Sequence, residues 1–190
     1  MVPGILTNVF FWATVATATL YIEVAVFTSR REYARRTYAI AGILAVLGFG
    51  LPRALIPFLP QPTLGVPTPI SMALGGALFL LGAGIILRSW VRLRRASAER
   101  ASVAEEARRQ VIDDGIYGIV RHPMYLGDVL WGLGLAVALD ATFAIALTPL
   151  WWVLRLSLSI LEEERLVDKH GDAYREYRNR VQNRILPLRW

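Results

Sequence analysis

Long apolar runs alternate along this chain with short, strongly basic segments. A helix crossing the hydrocarbon core of a bilayer needs about 20 apolar residues, roughly 17–25. Five runs meet or approach that length: residues 5–28, 38–59, 70–87, 124–139 and 141–161. The second is interrupted by Pro52 and Arg53, the fourth is short, and the fifth carries Arg155. The first has no Lys or Arg before it and outlasts a signal peptide's apolar core, so it reads as a retained transmembrane helix. Only a few residues around Asp140 join the fourth and fifth runs, which calls for an antiparallel helical hairpin. The prolines between Pro57 and Pro69 cannot continue a helix and mark a loop. The pattern predicts an all-α polytopic membrane bundle of about five transmembrane helices, ending in the hairpin and a cytoplasmic C-terminal helix.

The placement of charge orients the bundle. Of the 21 basic residues, four follow the first run, eight lie from Arg88 to Arg121, and seven lie from Arg165 to Arg189. Only Arg53 and Arg155 fall inside runs. With five spans every basic segment falls on one side, which the positive-inside rule makes the cytoplasm. The N-terminus is then outside and the C-terminus inside. The expected organisation is one membrane domain over residues 1–190. Residues 1–88 hold three spans, 89–123 a cytoplasmic linker and ligand loop, and 124–190 the hairpin and a binding tail. Residues 89–110, rich in Arg, Ala and Glu, read as a helix that extends the third span or lies along the interface. Gly75, Gly76, Gly82 and Gly84 allow close helix contact, within the chain or between chains.

Composition narrows the chemistry. The 190 residues are 55% hydrophobic, carry a net charge of +6, and include no cysteine and two histidines. Disulfides, thiolate sites and a cysteine nucleophile are excluded, and no metal site is expected. The basic residues border apolar spans, so anionic lipid headgroups rather than nucleic acid are the expected counter-charge. There is no phosphate loop, dinucleotide fingerprint or nucleophile elbow.

What remains is polarity in costly places. Residues 113–125 read Asp-Asp-Gly-Ile-Tyr-Gly-Ile-Val-Arg-His-Pro-Met-Tyr and lead into the fourth span. Gly115 and Gly118 permit tight turns, and Pro123 suits a first helical turn. Arg121 and His122 then sit at a helix N-terminal mouth, which favours an anion such as a ligand carboxylate, or else simply cap the helix. At the end of the fifth span stand Glu162, Glu163 and Glu164, where a helix C-terminus disfavours negative charge. They call for a cationic partner: Arg165, an arginine of the tail, or a cationic ligand. An anion site and a cation site at one level would together suit a zwitterionic amino-acid group with a sulfonium nearby. Glu23, Arg53 and Asp128 are further ionisable residues within spans, each a functional candidate by default.

The joint pattern Gly115-Ile116-Tyr117, Arg121-His122-Pro123 and Tyr125, then Glu162-Glu163, Leu166, Gly171, Tyr174, Tyr177 and Val181, resembles the isoprenylcysteine carboxyl methyltransferase family. Phospholipid N-methyltransferases share much of it. The resemblance covers roughly residues 109–187 and leaves the first three spans unmatched. It implies an integral membrane methyltransferase using S-adenosylmethionine and releasing S-adenosylhomocysteine. Its cofactor site would be open to the cytosol, with a lipid or prenylated acceptor arriving from the membrane. By that resemblance Tyr117, His122, Pro123, Met124, Tyr125 and Glu162 contact the cofactor, and Val111 and Ile112 are its apolar neighbours. Arg121 joins them as the cation at the helix mouth. The chain departs from the family in two places. A common histidine before Val111 is Arg109 or Gln110 here, and a substrate-contacting arginine is replaced by Leu158.

Methyl transfer from a sulfonium relies on in-line approach and exclusion of water. Arg155, one turn before Leu158, is the expected partner of an acidic acceptor, and Glu163 is the second catalytic candidate. The expected reaction is carboxyl O-methylation of an isoprenylcysteine-like acid. The alternatives are N-methylation of an aminophospholipid such as phosphatidylethanolamine, a sterol reductase sharing the C-terminal half, and a non-enzymatic membrane protein.

Overall fold

A computed structural model describes residues 51–101 and 111–187, together with positions 11, 14 and 18. Most of the first span, Glu23 and most of the second span lie outside the described residues. Among the described residues every regular element is helical, and the single exception is an isolated antiparallel bridge between Thr63 and Ala141. The chain divides into two compact units, Met1–Phe79 with Gly132–Leu154 and Leu80–Trp131 with Arg155–Trp190.

Helix α1, described over Leu51–Leu55, ends where the following residues tighten into a 3-10 turn at Ile56–Phe58 that contains Pro57. Leu59 is then extended, with ψ near 145°, as the residue before a proline must be. The second apolar run therefore stops being α-helical before its own end. Helix α2, Thr68–Ala101, is 34 residues long and starts with Pro69 in its first turn. At about 1.5 Å per residue it far outruns the apolar stretch 70–87, so the basic segment continues the third span without a break. Exposed Ile70, Met72, Leu74, Leu80, Leu81 and Leu87 coat it, as suits a lipid-facing helix. Past them Trp90 is exposed, with the Arg94 guanidinium 4.3 Å from its ring centre.

Helix α3, Pro123–Ala138, begins at the proline and ends in a turn where Asp140 takes φ +51°. A short helix α4, Thr142–Ala146, breaks at Leu147, and α5, Thr148–His170, restarts with Pro149 in its first turn. Among the described residues, two stretches, Thr68–Ala98 and Thr142–His170, are long and apolar enough to cross a bilayer. Pro123–Ala138 is apolar but shorter. Gly171, at φ +60°, ends α5, and α6 follows at Asp172–Arg180.

In the first unit, Ile56, Ala136, Ala141, Ala144, Trp151 and Leu154 form the core. The loop before α2 is tied to it by two side chains. Gln61 Oε1 accepts from the Phe143 and Ala144 N–H groups at 2.9 and 3.2 Å, and its amide donates to the Ile56 carbonyl at 2.7 Å. Ala141 offers no side-chain cap to α4, so a glutamine far away in sequence does that work. Asp140 Oδ2 accepts from the Gly65 and Val66 N–H groups. Arg53 is buried, 5.6 Å from the centre of the Trp151 ring, and with Gly132, Thr148 and Trp151 lines a small cavity.

The glycines of α2 fall into two sets. A side chain at Gly75 would overlap the Gly134 and Ala138 backbone, and one at Gly82 would overlap that of Gly127 and Trp131. Gly76 and Gly84 have nothing within 4 Å. The first set therefore serves backbone contact with α3 inside the chain.

Candidate functional site

The second unit gathers the sequence motif. Asp113 pairs with Arg180, and Asp114 accepts from Arg92 at 2.7 Å, which pins the turn that follows. Gly115 holds φ +59° and opens a 3-10 turn, Gly115–Gly118. The turn buries Tyr117, whose carbonyl accepts from the Tyr177 hydroxyl at 2.8 Å. Burial, and then the Glu162 charge, push the Tyr117 phenol up to about 12, so it stays a neutral donor.

Behind this turn a small core forms. Tyr174, Tyr177 and Val181 pack with Val111, Leu166 and Val167. The last two belong to the part of α5 that runs on past Leu161, so the three glutamates lie inside a helix and not at its C-terminus. The dipole argument against them is thereby removed, and Glu162 and Glu163 have partners within the chain.

Those partners come from the loop before α3 and from the tail. Glu163 is 2% exposed. Its Oε1 accepts from Arg121 Nε at 2.8 Å and Arg184 Nε at 3.2 Å, and Arg184 Nη2 reaches Oε2 at 3.0 Å. His122 Nε2 lies 3.1 Å from the same Oε1. Burial pushes the Glu163 carboxyl up, but the bonds from His122 and Arg121 outweigh it and hold the group at about 2. Burial likewise opposes charge on His122, but bonds to Glu162 and Glu163 raise it above the usual 6.5. The contacts favour a charged imidazole beside an ionised carboxylate, and Arg121 and Arg184 neutralise Glu163 from within the chain.

The tail closes the arrangement. Residues 181–184 run alongside residues 119–122. The Arg121 and His122 N–H groups donate to the Asn183 and Arg184 carbonyls at 2.9 and 2.8 Å, and Asn183 Nδ2 donates to the Ile119 carbonyl. Arg121 Nη1 donates to the Val181 and Gln182 carbonyls at 2.6 and 2.9 Å. At this helix mouth the main-chain donors of Arg121 and His122 therefore serve the tail, and the Arg121 guanidinium is shared between the tail and Glu163.

Glu162 is arranged differently. Its side chain is 41% exposed. Oε2 accepts from the Tyr125 hydroxyl at 2.8 Å and lies 3.5 Å from His122 Nδ1. The His122 and Tyr125 rings stack, 5.4 Å apart and 7° from parallel. Glu162 is thus oriented by His122 and Tyr125 while remaining partly exposed. Further along, the Arg155 guanidinium lies 5.2 Å from the Tyr125 ring centre, and Arg155 Nε donates to Asp128 Oδ2 at 2.6 Å.

Of the residues singled out from sequence, Arg121, His122, Tyr125, Arg155, Glu162 and Glu163 are linked by these contacts. Pro123 is fully buried at the start of α3, Met124 and Ile112 are half-buried, and Val111 belongs to the tyrosine cluster. Leu158, where the resemblance expects an arginine, is buried. The expected arginine of the tail is Arg184, which the sequence did not single out by number; the pairing of the tail backbone was not anticipated.

The family described as Phospholipid methyltransferase matches residues 70–173, more than half of the chain. Protein-S-isoprenylcysteine O-methyltransferase of Schizosaccharomyces pombe is 33% identical over 112 residues, 57% of this chain and 48% of that protein. Delta(14)-sterol reductase of Mus musculus is 33% identical over 84 residues, 42% of this chain and 19% of its own. Methanethiol S-methyltransferase 1 of Bradyrhizobium diazoefficiens is 37% identical over 76 residues, 39% of this chain and 25% of its own. The chain thus spans half or less of the length of these relatives. No solved structure matches it.

Proposed function

Because the chain belongs to the phospholipid methyltransferase family, we propose that it is a membrane-embedded methyltransferase using S-adenosylmethionine to methylate a lipophilic acceptor. The observation that carries this is the half-exposed Glu162 carboxylate, fixed by Tyr125 and His122. The residues fit the donor: an acid faces outward for its positive charge, and Tyr117, Met124 and Tyr125 supply aromatic and apolar surface beside it. When bound, S-adenosylmethionine supplies a methyl group on a positively charged sulfonium. Glu162 holds the cationic part, His122 fixes Glu162, and Val111, Ile112 and Pro123 shield the neighbourhood from water. Arg121 and Glu163 brace this arrangement, and Arg155 lies on the acceptor side.

The proposed topology keeps five spans, with the N-terminus outside and the site on the cytoplasmic side. The C-terminal hairpin is supported by three side-chain pairs: His122 with Glu163, Tyr125 with Glu162, and Asp128 with Arg155. Numbers rise along α3 as they fall along α5, as antiparallel neighbours require. Residues 1–88, 89–123 and 124–190 remain the proposed divisions.

An isoprenylcysteine-like acid is the first acceptor reading, supported by the activity named for the S. pombe relative. A second reading is favoured by the Asp128–Arg155 pair: an uncharged nucleophile, such as the amine of phosphatidylethanolamine. The decisive experiment is calorimetric titration of detergent-purified protein with S-adenosylmethionine and S-adenosylhomocysteine, with nicotinamide cofactors as controls. Saturable binding of the first two, lost in Glu162→Gln, is the expected result. A folded sample that binds neither overturns the proposal, and binding of a nicotinamide cofactor instead moves it to a reductase.

A further inference from the structure

The lipid-facing stripe of α2 does not end with its apolar residues. Leu80, Leu81 and Leu87 are all exposed. Positions seven apart lie two turns along one face of a helix, about 10 Å from each other. That repeat carries Leu80 and Leu87 on to Arg94, and Leu81 on to Arg88 and Arg95. The three arginines are exposed. Trp90 stands beside them, 45% exposed, with the Arg94 guanidinium 4.3 Å from its ring centre. The column on the other side of the helix, Gly82, Ser89 and Ala96, is buried. Three residues past Ser89, Arg92 donates to Asp114 at 2.7 Å and ties this part of α2 to the ligand loop. The helix therefore has an inward face that is spoken for and an outward face that turns from apolar to cationic.

Elsewhere in the second unit arginines meet carboxylates: Arg121 and Arg184 meet Glu163, Arg175 meets Asp172, and Arg180 meets Asp113. Arg88, Arg94 and Arg95 form no ion pair among the described residues. From Arg88 to Ala101, α2 holds five arginines and one glutamate. Like charges gathered on one helix repel each other, so the face calls for anions from outside the chain. Its position says which. The apolar columns bring it to the level where α2 leaves the hydrocarbon, and tryptophan favours that level. An arginine there lays its stem along apolar surface and extends its guanidinium to the headgroups. The planar fork of a guanidinium matches a pair of phosphate oxygens. A zwitterionic head brings its own cation against the three arginines, and an anionic head does not. We propose that the outward face made by Arg88, Trp90, Arg94 and Arg95 is a binding site for the phosphate of an anionic membrane lipid. The site is separate from Glu162 and stands whatever acceptor the chain methylates.

Two short-chain lipids test this on the full chain in a neutral detergent. Dihexanoyl-phosphatidylglycerol is anionic, and dihexanoyl-phosphatidylcholine is zwitterionic. Bound lipid is counted by native mass spectrometry across a titration. Wild-type protein is expected to bind the anionic lipid at least about tenfold more tightly than the zwitterionic one. The triple variant Arg88→Gln, Arg94→Gln, Arg95→Gln is expected to bring the two affinities within about twofold of each other. A control with the same change of charge, Lys169→Gln, Arg175→Gln, Arg178→Gln, removes exposed cations elsewhere and is expected to keep the preference. Thermal unfolding checks that each variant is folded. Arg94→Gln with Arg95→Gln stands in if the triple variant is not, and is expected to reduce the preference at least about threefold. Wild-type protein that binds both lipids alike overturns the proposal even if no variant folds. So does a preference that the arginine variants retain, or one that the control loses equally, because net charge alone then accounts for it. Inorganic phosphate that displaces the anionic lipid at equal concentration overturns the assignment to a membrane lipid.

Discussion

The Tyr125 hydroxyl donates to Glu162 at 2.8 Å, while the next residue, Glu163, is enclosed by Arg121, His122 and Arg184. Two neighbouring carboxylates therefore have opposite duties. One is held open, and the other is consumed as a brace.

Glu162→Gln is expected to lower S-adenosylmethionine affinity by at least about tenfold. It should change unfolding by no more than about 1 kcal/mol, since the side chain is 41% exposed. Calorimetric binding and thermal unfolding in detergent separate these effects. A variant that binds normally would remove Glu162 from the site.

Glu163→Gln is expected to do the reverse of a surface change. It leaves Arg121, Arg184 and His122 without their common carboxylate, at a cost of about 3–5 kcal/mol. The readout is a lower midpoint of unfolding, with binding lost only in proportion to unfolding. A midpoint equal to wild type would show that the three cations have other support.

The same cluster sets a pH window. Glu163 has a folded value of about 2 against the usual 4.5, so its contribution is complete above 4.5 and is lost as pH falls toward 2. His122 is raised above 6.5, so its contribution is complete below 6.5 and is lost as pH climbs past the raised value. Stability is expected to peak between about pH 5 and 6. The alkaline decline should vanish in His122→Asn. An alkaline limb that persists unchanged in that variant would place its cause elsewhere.

Glycine substitutions should divide as the packing does. Gly82→Ala puts a methyl into the backbone of α3 and is expected to destabilise by more than about 2 kcal/mol. Gly76→Ala meets nothing within 4 Å and is expected to be neutral or stabilising by up to about 1 kcal/mol. Unfolding midpoints of the two variants, compared side by side, decide the point.

Removing the cap of α4 by Gln61→Ala is expected to cost about 1–2 kcal/mol, because the Phe143 and Ala144 N–H groups lose their acceptor. Amide exchange at these two positions is the direct check. Exchange no faster than wild type would mean the cap is dispensable.

These particulars show what the order of residues makes legible. The apolar runs 70–87, 124–139 and 141–161 appear as helices because burial in lipid demands both apolarity and backbone satisfaction over a fixed length. Pro123 and Gly115 were readable because each has one backbone role. The division of labour between Glu162 and Glu163 was not, because adjacent residues point about 100° apart on a helix and only the packing says which points inward. Gln61 as a cap, and which arginine of the tail would brace Glu163, were hidden for a different reason. Both act across long separations, and nothing local marks them. The break at Leu147 was signalled by Pro149, but an uninterrupted apolar run masked it.

The pairing of residues 181–184 with residues 119–122 has a consequence for biogenesis. Translation delivers Glu163 before Arg184. A chain that stops short of Arg184 therefore carries a buried carboxylate that lacks one of its counter-ions. It also lacks the carbonyls to which the Arg121 and His122 N–H groups donate. A product clipped before residue 181 should accordingly hold residues 119–122 less firmly than the longer chain does.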